Sequence, residues 1–119
     1  MRGHRTGKSA PRLVASSRAR MTTGNAVDAA LVARIATGDR LAMRVLYVRH
    51  NARIRRFILR FAGDKALADD LMHEAFLRVW RNAGGFTGGG PVSTWLLCVA
   101  RDTTIRAARA GLRSGHPRD

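Results

Sequence analysis

The 119-residue chain reads as an all-α protein, a compact bundle of four helices behind a disordered basic N-terminal tail. Three observations predict this. Apolar residues recur at steps of three and four through the middle of the chain, and no stretch alternates as a strand would. Twice, at Gly38-Asp39 and Gly63-Asp64, a residue that ends helices stands directly before one that starts them. The first 26 residues lack any periodicity and contain Gly, Ser and Pro, a composition that does not build a core. A hydrophobic content of 45% permits one packed core, and the length suits one domain.

The elements follow in order. After the tail, residues 1–26, a first helix should run from about Val27 to Thr37, with Asn25 or a neighbour as its cap and Gly38 as its end. Asp39 should cap a long second helix from Arg40 to Ala62, closed by Gly63. Asp64 should cap a third, from Lys65 to Ala83. Gly84-Gly85-Phe86-Thr87-Gly88-Gly89-Gly90-Pro91 is the one clear loop. Ser93 or Thr94 should cap a fourth helix that runs to about Gly111, so that residues 27–111 form the helical domain and residues 112–119 a frayed end. Met21 opens a shorter chain and is a second candidate start.

The third helix is the most informative element, because it has two working faces. Leu71, Met72, Ala75, Phe76 and Val79 gather on one side, as a core face does at about 100° per residue. Asp70, Glu74, Leu77 and Arg81 gather on the other at steps of four, three and four. A leucine inside a charged stripe is apolar surface that the helix does not need for its own fold. Three of the eight acids of a very basic chain, Asp69, Asp70 and Glu74, lie close to it, so the surface suits a protein partner. Glu74 can also pair with Arg78, four residues on.

The formal net charge is +14, and the first 27 residues carry six basic residues and no acid. Such chains meet nucleic acid, an anionic membrane or an acidic protein. On the second helix Arg49, Arg53, Arg56 and Arg60 share one face at steps of four, three and four, without an acid among them. They form either a solvated polar face or a stripe for phosphates. Apolar residues take most of the remaining circumference of that helix. On the fourth helix Trp95, Asp102, Arg106, Arg109 and Arg113 project roughly together, with Arg101 nearby. Trp95 is either core or a platform for an exposed base next to the loop that carries Phe86.

Chemistry of other kinds finds no residues to carry it. Gly3-His4-Arg5-Thr6-Gly7-Lys8-Ser9 imitates a phosphate-binding loop but has three residues between its glycines where four are needed, and no strand precedes it. The four histidines have no ligand spacing, and one cysteine, Cys98, makes neither a disulfide nor a zinc site; its place in an apolar run suggests burial. No apolar stretch approaches the roughly 20 residues of a membrane span, and a cytoplasmic protein that is not an enzyme, and needs neither cofactor nor metal, is expected.

These residues also resemble a known family. From Asp28 to Arg109 the chain is similar to the N-terminal, promoter-melting domain (region 2) of extracytoplasmic function sigma factors of the sigma-70 family. Three segments carry the resemblance in order: IATGDRLAMRVLYVRHNARIRRFILRFAGD, ALADDLMHEAFLRVWRNAGGF and VSTWLLCVARD. The second is the most specific, with its acidic pair, a glutamate four residues after the second acid, an aromatic-leucine pair and Trp80-Arg81. The resemblance implies a sigma-type initiation module that binds RNA polymerase core and recognises and melts the minus-ten promoter element. Asp69, Asp70, Glu74, Leu77, Trp80 and Arg81 would dock on the β′ clamp helices. The loop from Phe86 and Thr87 to Val92 would capture a base flipped out of the non-template strand of promoter DNA, with Ser93, Thr94 and Trp95 beside it. An anti-sigma factor is a further implied partner. Sigma factors of this group carry a second helical domain, and the chain ends where the linker to it would begin. Two other readings share the composition: a basic bundle that binds nucleic acid nonspecifically, and an interaction module that titrates an anti-sigma regulator.

Overall fold

A computed structural model describes residues 23–114, and the side chains of residues 23–111. The expected basic tail up to residue 22 and the last five residues lie outside that range. Four α-helices make up the described chain: α1 at residues 23–35, α2 at Arg40–Ala62, α3 at Lys65–Asn82 and α4 at Val92–Ser114. A single 3₁₀ turn, Ala83–Gly85, follows α3. There is no strand among the described residues, and none of their helices is long and apolar enough to cross a membrane.

The two glycine-aspartate pairs do what their chemistry dictates. Gly63 adopts φ +66° and its N–H reaches back to the carbonyl of Leu59 at 2.9 Å, ending α2 in a left-handed turn open to glycine. Asp39 accepts from the Ala42 N–H at 3.0 Å and Asp64 from the Leu67 N–H at 3.0 Å. Each carboxylate thereby satisfies an orphan donor and sits at the positive end of a helix dipole. The Ala42 N–H and the Arg34 guanidinium hold the Asp39 carboxyl below its ordinary pKa.

The core is built from rows that the periodicity announces. Ala42, Leu46, His50, Ile54 and Ile58 line the inner side of α2 at steps of four. From α3 come Ala68, Leu71, Met72, Ala75, Phe76 and Val79, and from α4 Val92, Leu96, Ala100 and Thr103. Leu31, Val32 and Ile35 of α1 complete the cluster. Helices α2, α3 and α4 pack against one another pairwise. Cys98 falls between the core positions of α4 and is exposed, contrary to the expectation of burial.

Helix α1 is fastened by polar groups as well as apolar ones. Asp28 is buried, accepts from Arg49 Nε at 2.7 Å and lies 2.9 Å from His50 Nε2. Arg49 also donates to the Gly24 carbonyl at 3.3 Å. A carboxylate out of water needs such partners, and no buried side-chain polar atom among the described residues is left without one.

The expected caps at both ends of the domain change hands. Residues 23–35 are helical, so Asn25 lies inside α1. Its amide oxygen accepts from the N–H of Val92 at 2.8 Å, the first residue of α4. Ser93 and Thr94 are therefore first-turn residues and not caps, and the Pro91 carbonyl already accepts from the Thr94 and Trp95 N–H groups. Asn25 is a cap supplied from 67 positions away. Asn25→Ala is expected to lower stability by about 1 kcal/mol, as loss of a cap does, and to lower Tm by about 5 °C. Asn25→Asp, which still accepts, should retain most of it; thermal melts followed by circular dichroism check both.

Candidate functional site

Two concave surfaces collect the residues that the sequence singles out. The first is an open groove of about 570 Å³ between α2 and α3. Met72, His73, Phe76, Leu77 and Trp80 form its α3 wall, and Met43, Arg44 and Tyr47 its α2 wall, with Arg40, Arg55 and Asp69 at the rim. Tyr47 meets Phe76 edge-to-face, with ring centroids 4.8 Å apart. Leu77 and Trp80 are half-buried: each contributes to the bundle and still offers apolar surface to the groove.

The charged residues of the α3 face are distributed unevenly around it. Asp69 is paired with Arg55 across the groove rim, and this carboxylate raises the guanidinium above its ordinary pKa. Glu74 pairs with Arg78 at 3.3 Å, and Arg78 reaches on to Asp102 of α4 at 3.5 Å. Asp70 and Arg81 are exposed and in no ion pair among the described residues. The structure thus brings Asp69, Leu77 and Trp80 together in one recess and leaves Asp70, Glu74 and Arg81 outside its lining. Sequence reasoning missed the α2 wall. Met43 and Tyr47 stand four apart on α2, but nothing local says which side of α3 they meet.

The second surface lies at the loop before α4. Gly85, Phe86, Thr87, Gly89, Gly90, Pro91, Thr94 and Trp95 line a recess of about 240 Å³. The Phe86 and Trp95 rings are 5.1 Å apart and tilted by 46°, and both are half-buried. Gly88, at φ +80°, turns the loop in a backbone region that side chains disfavour. A neighbouring polar cavity of about 550 Å³ shares Pro91 and Thr94 and adds Gly24, Asn25, Asp28, His50, Arg53 and Ser93. Aromatic rings at a recess edge beside hydroxyls and a guanidinium can stack a base and hold its phosphate.

Two of the expected nucleic-acid residues serve otherwise. Val92 is fully buried, so it packs beneath the loop and has no surface to offer a strand. Arg49 is engaged by Asp28 and Gly24, which removes it from the arginine stripe; a paired cation on the α1–α2 seam holds the fold. Arg53 lines the polar cavity. Arg56, Arg60, Arg101 and Arg109 are exposed, outside both recesses and in no ion pair among the described residues. Arg106 is exposed and paired with Asp102 at 2.9 Å.

Comparison with known proteins identifies the family. The profile of the Sigma-70 region 2 family matches residues 46–113, which is more than half of the chain, and the chain belongs to that family. It is 36% identical over 76 residues to the RNA polymerase sigma-H factor of Pseudomonas aeruginosa, covering 64% of this chain and 39% of the relative. Against the ECF RNA polymerase sigma factor SigL of Mycobacterium tuberculosis it is 37% identical over 83 residues, covering 68% and 46%. The chain therefore spans less than half the length of these relatives. Among solved structures, an engineered region 2 of sigmaE in complex with GTAAAA matches with a TM-score of 0.64 and 29% identity, covering 76% of this chain and 94% of that one.

Proposed function

We propose that the chain is a sigma-type transcription initiation module. In this reading the α2–α3 groove docks on the RNA polymerase core at its β′ clamp helices, and the Phe86–Trp95 recess captures a base extruded from the non-template strand of the minus-ten element. The observation that carries the reading is the aromatic recess at the end of a glycine-rich loop, in a chain of the Sigma-70 region 2 family. The neighbour that takes GTAAAA supports it.

The energetics suit a binding role. Unstacking and unpairing a base costs a few kcal/mol; stacking on an aromatic ring returns about 1–3 kcal/mol, and cations along the backbone add a salt-dependent share. Capture thus offsets most of the penalty of opening a duplex without covalent chemistry by this chain. The groove supplies the complementary half: an apolar centre with a charged rim, which fixes orientation as well as affinity.

The test measures both halves. The chain should be retained by immobilised polymerase core, and a fluorescent single-stranded oligonucleotide containing GTAAAA should bind it more tightly than the same sequence as a duplex. Equal binding to both forms, with no retention on core, would leave only a basic bundle that holds nucleic acid through its charge.

A further inference from the structure

The inner row of α2 is core, yet its outer side is apolar too. Leu41, Val45 and Val48 are 62%, 39% and 67% exposed at steps of four and three, and exposed Ala52 extends the stripe by four more. Lone exposed aliphatic residues are ordinary. Here they form a continuous ridge over three turns, on a helix already anchored by its opposite face. None of them lines the groove between α2 and α3.

The flanks of this ridge are cationic. Arg44 stands beside Leu41 and Val48, and Arg56 beside Ala52; both are exposed and in no ion pair among the described residues. Arg49 and Arg55, also on the flanks, are held by Asp28 and Asp69. The one acid at the ridge, Asp39 at its N-terminal end, caps α2 and holds Arg34.

That combination selects the occupant. A second copy would set arginines against arginines. The segment at residues 1–22 has six basic residues and no acid, so it meets the same repulsion. Nucleic acid suits the arginines, but three aliphatic side chains gain nothing from phosphates. An anionic bilayer suits the charge, but interfacial helices insert a broad face that includes aromatic anchors, and this ridge has none. A ridge at steps of four and three is the surface against which another helix packs.

We infer that the outer face of α2 docks an amphipathic helix from an acidic protein. Its apolar seam lies along Leu41, Val45 and Val48, and its Asp or Glu residues face Arg44 and Arg56. The ridge is separate from the strand-capture recess and borders the α2–α3 groove, with which it shares only the flanking Arg44 and Arg55; the inference does not depend on what that groove docks.

The probe is a synthetic helical peptide of about 20 residues, long enough to hold helix, with a Leu/Ile seam flanked by Glu. Two controls carry Lys for Glu, or the same composition scrambled. By fluorescence anisotropy the Glu peptide should bind the full chain at least about tenfold more tightly than either control. Val48→Glu should abolish that advantage, and Val48→Ala should weaken it several-fold. Val48 is exposed, so both variants should keep the wild-type melt. No binding of the Glu peptide, equal binding of the scrambled peptide, or an unchanged affinity in Val48→Glu would overturn the inference. So would phosphatidylglycerol vesicles or self-association, by co-sedimentation and sedimentation velocity, if Val48→Glu abolished them.

Discussion

Leu77→Arg should weaken retention on polymerase core by about 2 kcal/mol or more, roughly thirtyfold, the loss that follows when the apolar centre of an interface is destroyed. Leu77 is half-buried on α3 and lines the groove with Met72, Phe76 and Trp80, facing Met43 and Tyr47 of α2. Arginine there puts a charge that must be desolvated where the partner expects hydrocarbon. It also stands near Arg44 and Arg55, so the groove becomes more positive. Leu77 is outside the fully buried cluster, and its long replacement can reach solvent, so the thermal melt should move little. Leu77→Met keeps volume and polarity and should keep binding. Glu74→Arg should act more weakly, because Glu74 stands outside the groove lining and is already paired with Arg78. Titration of core against labelled chain measures all three, and full binding by Leu77→Arg would remove the groove from the docking surface.

How much of this was legible in the sequence depends on how local the chemistry is. The helix junctions at Gly38-Asp39 and Gly63-Asp64 were readable because the stop, the cap and the capped N–H groups lie within a few residues of one another. The core face of α3, from Leu71 to Val79, was readable for the same reason: its periodicity lies within one helix. Asn25 was misplaced because its partner is 67 positions away, and no local pattern encodes that distance. Arg49 joined the arginine stripe by spacing and left it through Asp28, again a contact between helices. Val92 stood next to the right loop and was drawn into the site by adjacency, although it is part of the core.

The second helix shows the limit from the other side. Its apolar residues take most of the circumference that the arginine stripe leaves, an arc wide enough to signal burial well beyond one row. The structure buries the row from Ala42 to Ile58 and leaves Leu41, Val45 and Val48 in solvent. Periodicity reports where apolar residues are. It does not report how many helices are present to cover them, and three helices around α2 leave one face open.

Trp95→Ala should remove the preference for single strands over duplex, with a loss of about tenfold to a hundredfold in oligonucleotide affinity, the scale of one stacked base. Trp95 is half-buried and meets Phe86 across the recess at 5.1 Å, so its removal also thins the packing, and the melt has to be read beside the binding. Trp95→Phe separates the two effects: it keeps a ring for stacking while giving up volume. If the ring stacks a base, Trp95→Phe should recover most of the single-strand affinity even where the melt remains lowered. In the proposed reading duplex binding would rest on exposed cations such as Arg56 and Arg60, and it should be the same in all three proteins. If instead single-strand and duplex affinities fall together and follow the melt, Trp95 acts through packing alone, and capture must lie with Phe86 and the polar cavity around Arg53.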